Sequence, residues 1–158
     1  MPYSAPEPVA SELSAWNNGN GAELEVLSQY EGSYRLSVSD SALLWPKFKL
    51  VGPYILREGA SAERIAEWED SLSGDSRGLE AVMNHIHLTD YFLHHDDGLS
   101  REVVAFLTRQ LCEIHEAKLM WQFPDRPCRV ISTTPDDPEE LDNYQITFWQ
   151  KKWEATGG

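Results

Sequence analysis

One run of helical periodicity, from about Arg101 to Trp121, constrains the fold of this chain more than any other feature. Val103, Phe106, Leu107, Leu111, Ile114 and Met120 recur at the three- and four-residue spacing that gathers side chains on one side of a helix. Ser100 stands before the run as an N-cap, and Phe123-Pro124 closes it, because proline disfavours helical backbone in the residue before it. A helix of this length must lay its apolar stripe against other elements.

Two shorter helices are predicted before it. Ser61 is placed to cap a helix whose Ile65, Trp68 and Leu72 form one stripe. After the interruption Ser73-Gly74-Asp75-Ser76, the residues Leu79, Val82, Met83, Ile86 and Leu93 mark a second helix, ended by Gly98 in the left-handed position that follows a helix terminus.

On either side of this helical block the period shortens to two. Glu23–Ser28 and Tyr34–Ser39 alternate apolar and polar residues, with Glu31-Gly32 as the turn between them. Phe48–Leu56 is a third extended run, interrupted at Gly52-Pro53 by a bulge, a break or an edge position, since proline cannot donate to a sheet ladder. Cys128–Thr133 and Asn143–Gln150 return to strand character around the acidic loop 135–142, as a closing hairpin. The expected fold class is α+β. Its sheet is mainly antiparallel, with about five strands, three N-terminal and two C-terminal, packed on a central block of three helices.

A length of 158 residues suits a single domain over 1–158, large enough to need no disulfide. Residues 1–8 carry three prolines and read as a flexible arm leading into a weakly helical stretch at 9–16. The following Asn17-Asn18-Gly19-Asn20-Gly21 is a turn, because Asn and Gly tolerate positive φ. Cys112 and Cys128 are the only cysteines, without metal-site spacing, and are expected to be buried thiols. No long apolar run and no charged apolar leader are visible, so the expectation is a cytoplasmic protein that does not engage a membrane.

Acidic residues outnumber basic ones by 26 to 13, a formal net charge of -13. Such a field repels phosphate backbones and disfavours direct nucleic-acid binding, while it speeds encounter with a basic protein. Glu63, Glu67 and Asp70 give the first helix an acidic outer face around Trp68, and Asp136, Asp137, Glu139 and Glu140 form a second cluster. The six tryptophans exceed what one core of this size requires. In the last strand Tyr144, Ile146 and Phe148 share the core face, which leaves Trp149, together with Trp153, for the open face. Aromatic groups ringed by carboxylates suit protein recognition.

Chemically versatile side chains concentrate in one stretch, where four of the five histidines fall between His85 and His95. If 80–95 is helical, His87, Asp90 and His94 share a direction and suit zinc or iron, whereas His85 and His87 diverge. Helix-terminal histidines followed by the turn Asp96-Asp97-Gly98 account for the same residues without a metal. His115-Glu116 fails as a metalloprotease motif because Leu119 takes the second histidine's place. No Walker loop, dinucleotide fingerprint or nucleophile elbow is present. The leading expectation is a noncatalytic protein-binding protein without cofactor. It would act as an immunity protein that neutralises a basic toxin or effector through Glu63, Glu67, Trp68, Asp70, Asp136, Asp137, Glu139, Glu140, Trp149 and Trp153. A metal-dependent enzyme using His87, Asp90 and His94, and a small acidic secretion or effector chaperone, are the alternatives, with a homodimer compatible with the last.

Overall fold

In the computed structural model the described residues are 5–30, 32, 34–91, 100–137 and 140–155. The chain opens with α1 (Glu7–Gly19), α2 (Leu24–Tyr30) and α3 (Tyr34–Leu44). A hairpin of β1 (Phe48–Val51) and β2 (Tyr54–Arg57) leads to α4 (Ala62–Ser71) and α5 (Ser76–Met83). Next come the two-residue β3 (Ile86–His87) and a 3-10 turn at Leu88–Tyr91. The long α6 (Arg101–Gln122), β4 (Cys128–Thr133) and β5 (Gln145–Gln150) complete the fold, with short 3-10 turns at Leu141–Asn143 and Lys151–Ala155.

The fold is α+β, but its strands form two small antiparallel sheets, β1-β2 and β3-β5-β4, in place of one sheet of five. The two alternating segments expected as N-terminal strands are the helices α2 and α3. Their residues satisfy both periods: Leu24 and Leu27, like Val26 and Tyr30, are three and four apart, and Leu, Glu and Gln favour helix. Alternation holds a segment in a strand only where a partner strand and a core accept it. Leu24, Tyr30, Val38 and Leu44 are exposed, so among the described residues these side chains meet no core that would hold them in a strand, and a helix satisfies its backbone locally. Pro6 occupies the N-cap position of α1, and Glu7 and Pro8 lie within it, so the helix begins inside the segment expected as a flexible arm. Residues 1–4 lie outside the described residues. The asparagine and glycine turn stands as read, with Asn17, Asn18, Gly19 and Gly21 all at positive φ.

Gly52-Pro53 is the turn of the β1-β2 hairpin and not a bulge. Gly52 takes φ +58°, and Pro53, outside the ladder, loses no hydrogen bond. The caps of α4 and α6 are those expected: Ser61 Oγ accepts from Arg64 N at 3.3 Å and Ser100 Oγ from Val103 N at 3.4 Å. Ile65 is buried, with Trp68 and Leu72 packed beside it, as their spacing requires. Cys128–Thr133 is β4, and it pairs antiparallel with β5 in the closing arrangement.

On α6 the buried stripe is Val104, Thr108, Leu111, His115, Lys118 and Leu119. This is rotated by about one residue, roughly 100°, from the expected apolar stripe, and Met120 is exposed. Two of the polar side chains on this face bond the carbonyls of the preceding turn, although His115 Nε2 meets no partner among the described residues. Thr108 Oγ1 donates to Val104 O at 2.7 Å, and His115 Nδ1 bonds Leu111 O at 2.7 Å.

The second helix stops at Met83, well short of His95, because two of its residues are committed elsewhere. Glu80 on α5 and Asn84, the residue that caps its C-terminus one turn later, are both fully buried. Glu80 accepts from Ile55 N at 2.8 Å, from Gln150 N at 2.6 Å and from the Gln150 side-chain amide. Asn84 donates to Ile55 O at 2.9 Å and Phe148 O at 3.3 Å, and accepts from Arg57 N at 3.0 Å. These side chains therefore join the edge of β2 to the edge of β5 beyond the short β3. Backbone groups that a continuous five-stranded sheet would pair are paired through α5 instead, and the sheet is split in two.

Replacing Glu80 by Ala would leave buried N–H groups on both strands without acceptors, at a cost of about 3 kcal/mol or more; Glu80→Gln, which turns an amide donor toward a donor, costs about 1–3 kcal/mol. Urea unfolding midpoints measure both. A Glu80→Ala protein as stable as the parent would show that Glu80 does not join the sheets.

Candidate functional site

The expected acidic face of α4 is present: Glu63, Glu67 and Asp70 are exposed. A bond from its own backbone N–H, with the Ser61 side chain adding to it, holds the Glu63 carboxyl below the usual range. Trp68 is half-buried against the Ile65 cluster, so it braces this helix from beneath. In the loop Asp136, Asp137 and Glu140 are exposed, and Glu140 Oε2 accepts from Asn143 Nδ2 at 2.5 Å. Glu139 lies outside the described residues.

Trp149 is not on an open face. It is 4% exposed, since helices cover both faces of β5: α6 lies over Phe148, and α5 lies over the opposite side. Thr147 Oγ1 donates to Ala81 O at 2.5 Å, and the Arg77 guanidinium carbon stands 4.6 Å from the centre of the Trp149 ring. Trp149 Nε1 donates to Glu154 Oε1 at 3.0 Å. Arg129 grips the same carboxylate with two nitrogens, and these two partners, the arginine first, lower the Glu154 pKa to about 2. Trp153 is half-buried, its ring 6.1 Å from Tyr54 and 4.1 Å from Lys152 Nζ. Tyr144, Ile146 and Phe148 are core residues, as alternation predicts.

The described part of the histidine stretch is extended at Ile86–His87 and turns at Leu88–Tyr91, where helical phase was expected. His85 and His87 flank Ile86, which pairs with Ile146, so the two imidazoles project to the same side with ring centres 5.3 Å apart. His85 Nδ1 bonds Val82 O at 2.6 Å. Asp90 sits in the 3-10 turn, which removes the shared helical direction of His87 and Asp90. His94, His95, Asp96, Asp97 and Gly98 lie outside the described residues. Among the described residues no three His, Cys, Asp or Glu side chains gather as a metal site.

A surface that sequence spacing did not single out lies at the C-terminal half of α6. Lys118, buried along its stem, holds its ammonium 3.9 Å from the Trp45 ring centre and 4.5 Å from that of Trp121. The two indoles are 5.5 Å apart, yet they remain 55% and 68% exposed, and Met120 is 72% exposed. Leu44 beside Trp45 is exposed as well. A cation within reach of both rings holds them together, and both indoles stay largely open to solvent. The available signal was helical phase: once Leu111 and Leu119 face inward, Met120 and Trp121 cannot. Lys118 carried no signal, because a lysine on a buried stripe is unexpected until its aromatic partners are known.

Both cysteines are partly buried and free. Burial raises the Cys112 pKa and pushes the Cys128 thiol up to about 12, so both are poor nucleophiles near neutrality. Among the described residues no helix is long and apolar enough to cross a membrane. No protein-family model, curated protein or solved structure matches the chain.

His115 generates a pH prediction. Burial first, then the charge of Arg57, lower its pKa from 6.5 to about 4. The unfolded chain therefore binds a proton that the folded chain refuses, so the contribution is complete above about pH 6.5 and is lost as pH falls through about 4. Stability should fall across that window by on the order of 3 kcal/mol more than in His115→Gln, as measured by urea midpoints against pH. Parallel curves for the two proteins would refute the assignment.

Proposed function

We propose that this chain is a noncatalytic protein-binding protein that recognises a basic partner through acidic and aromatic surface. The observation that carries the reading is the exposed Trp45–Trp121 pair, held by Lys118 and continued by Leu44 and Met120. Rigid exposed aromatics of this kind cost little conformational entropy on binding and dominate interface energetics where they occur. Exposed Glu113 and Glu116 on α6, with the net charge of -13, favour a cationic partner and slow the approach of anionic ones. Within this class, the role we favour is that of an immunity protein: a toxin's basic active-site cleft would be blocked by carboxylates and sealed by indoles.

The aromatic anchor of this proposal is Trp45 with Trp121, in place of Trp149. Glu63, Glu67 and Asp70, and separately Asp136, Asp137 and Glu140, remain supporting acidic surface.

The test is capture from the native host with the intact protein and with a Trp45→Ala/Trp121→Ala variant of unchanged circular dichroism. A basic protein should be retained by the first and lost at least tenfold by the second, and its activity should be abolished by added intact protein. Equal capture by both proteins, or a partner whose activity is unaffected, would count against the reading.

A further inference from the structure

The phase of the β4-β5 ladder follows from one bond just outside it. Lys151 donates its N–H to the Pro127 carbonyl at 2.8 Å, one step beyond the pair Cys128 and Gln150. Bonded and unbonded pairs alternate along an antiparallel ladder. Arg129, Ile131 and Thr133 therefore exchange bonds with Trp149, Thr147 and Gln145. The backbone N–H and C=O groups of Cys128, Val130 and Ser132 turn away from β5. The far side of β5 obeys the same phase, since Phe148 O and Gln150 N bond Asn84 and Glu80 there.

Because the sheet order is β3-β5-β4, the outward groups of β4 lie along a free edge. Among the described residues no backbone group of another segment bonds them. Sheet edges are usually guarded by proline, a bulge or an inward charge. This strand has none of these: its one charged residue, Arg129, is engaged by Glu154.

A groove of about 480 Å³ opens between this strand and α6, lined by Met120, Phe123, Cys128 and Val130, by the carboxylates Glu113 and Glu116 and, at the Cys128 end, by Lys151. Cys128 and Val130 pack on the core cluster that contains Leu119, and the Ser132 hydroxyl lies within hydrogen-bond reach of the Cys112 thiol, so α6 and β4 run in opposite directions. The apolar end of the groove lies beside Cys128, and its acidic end lies toward Ser132.

Resting on the protein-binding role proposed above, we infer that β4 accepts an extended segment of the basic partner as an added strand. Groove-side residues of that segment, two positions apart, are an apolar side chain against Met120 and Phe123 and a Lys or Arg facing Glu113 and Glu116. Backbone pairing supplies the affinity, and the alternate side chains supply the selectivity.

The probe is a fluorescein-labelled heptapeptide, Ser-Val-Thr-Lys-Thr-Val-Ser, titrated into the intact protein and followed by anisotropy and by amide resonances. Binding should shift the amides of Cys128, Val130 and Ser132 and weaken about tenfold when Glu replaces Lys in the peptide. Of two versions N-methylated at alternate residues, one should lose binding, because only one set of amides faces β4. Val130→Pro removes an edge donor without touching the ladder to β5, and it should bind at least tenfold more weakly with unchanged circular dichroism; Glu116→Lys, on the exposed rim, gives the same direction without a backbone change. Unmoved β4 amides, or equal binding by both methylated peptides, would overturn the inference. So would a concentration-dependent dimer abolished by Val130→Pro, which would assign the edge to a second copy of the chain. If a host partner is lost with Trp45→Ala/Trp121→Ala but kept with Val130→Pro, strand addition fails while the protein-binding role stands.

Discussion

The structure depends on the burial of one carboxylate on a short helix and one amide at that helix's C-terminal cap. Glu80 and Asn84 reach from α5 into the gap between two strand edges and answer backbone groups on each. A buried carboxylate is costly unless every neighbour is a donor, and the partners of Glu80 are backbone and side-chain amides. That requirement fixes the distance and angle between the β1-β2 hairpin and the three-stranded sheet. It also places α5 over the Trp149 face of β5, opposite α6, so that β5 is buried on both sides.

Burial on both sides moves the aromatic surface away from the sheet. With Trp149 enclosed by Arg77 and Glu154, the indoles most open to solvent are those around Lys118 on α6. The same helix supplies the acidic wall of the groove beside β4. A protein-binding role for this chain therefore draws on α6 for its carboxylates and for Lys118 and Trp121, with Trp45 joining them from the end of α3, and the free sheet edge runs alongside. The histidines make a smaller contribution than their clustering suggests: His85 and His87 face one way, without a third ligand among the described residues.

Much of the central and C-terminal structure was legible from spacing. The capped helices at Ser61 and Ser100, the strand Cys128–Thr133 and the core face Tyr144, Ile146 and Phe148 each rest on local patterns that the tertiary structure reinforces. The N-terminal helices were not legible, because six alternating residues satisfy both periods and the deciding factor is a partner strand that sequence does not display. The end of α5 was hidden for a related reason. Val82, Met83 and Ile86 continue a helical pattern, but pairing of Ile86 with Ile146 and the bonds of Asn84 to distant strands draw the chain out of the helix.

By itself the sequence determined the α+β character, the long helix with its cap and stop, the closing pair of strands and the acidic charge, since each is a property of near neighbours or of the whole composition. Only the tertiary structure decided that the strands divide into two sheets, that α6 turns Leu119 inward and Met120 and Trp121 outward, and which tryptophans meet solvent. Those outcomes depend on contacts between residues far apart in the chain: Glu80 with Gln150, Asn84 with Phe148, Trp45 with Lys118. Hydrophobic periodicity records which side of an element is apolar, but it does not record which polar groups will find partners there, and in this protein those partners set the geometry.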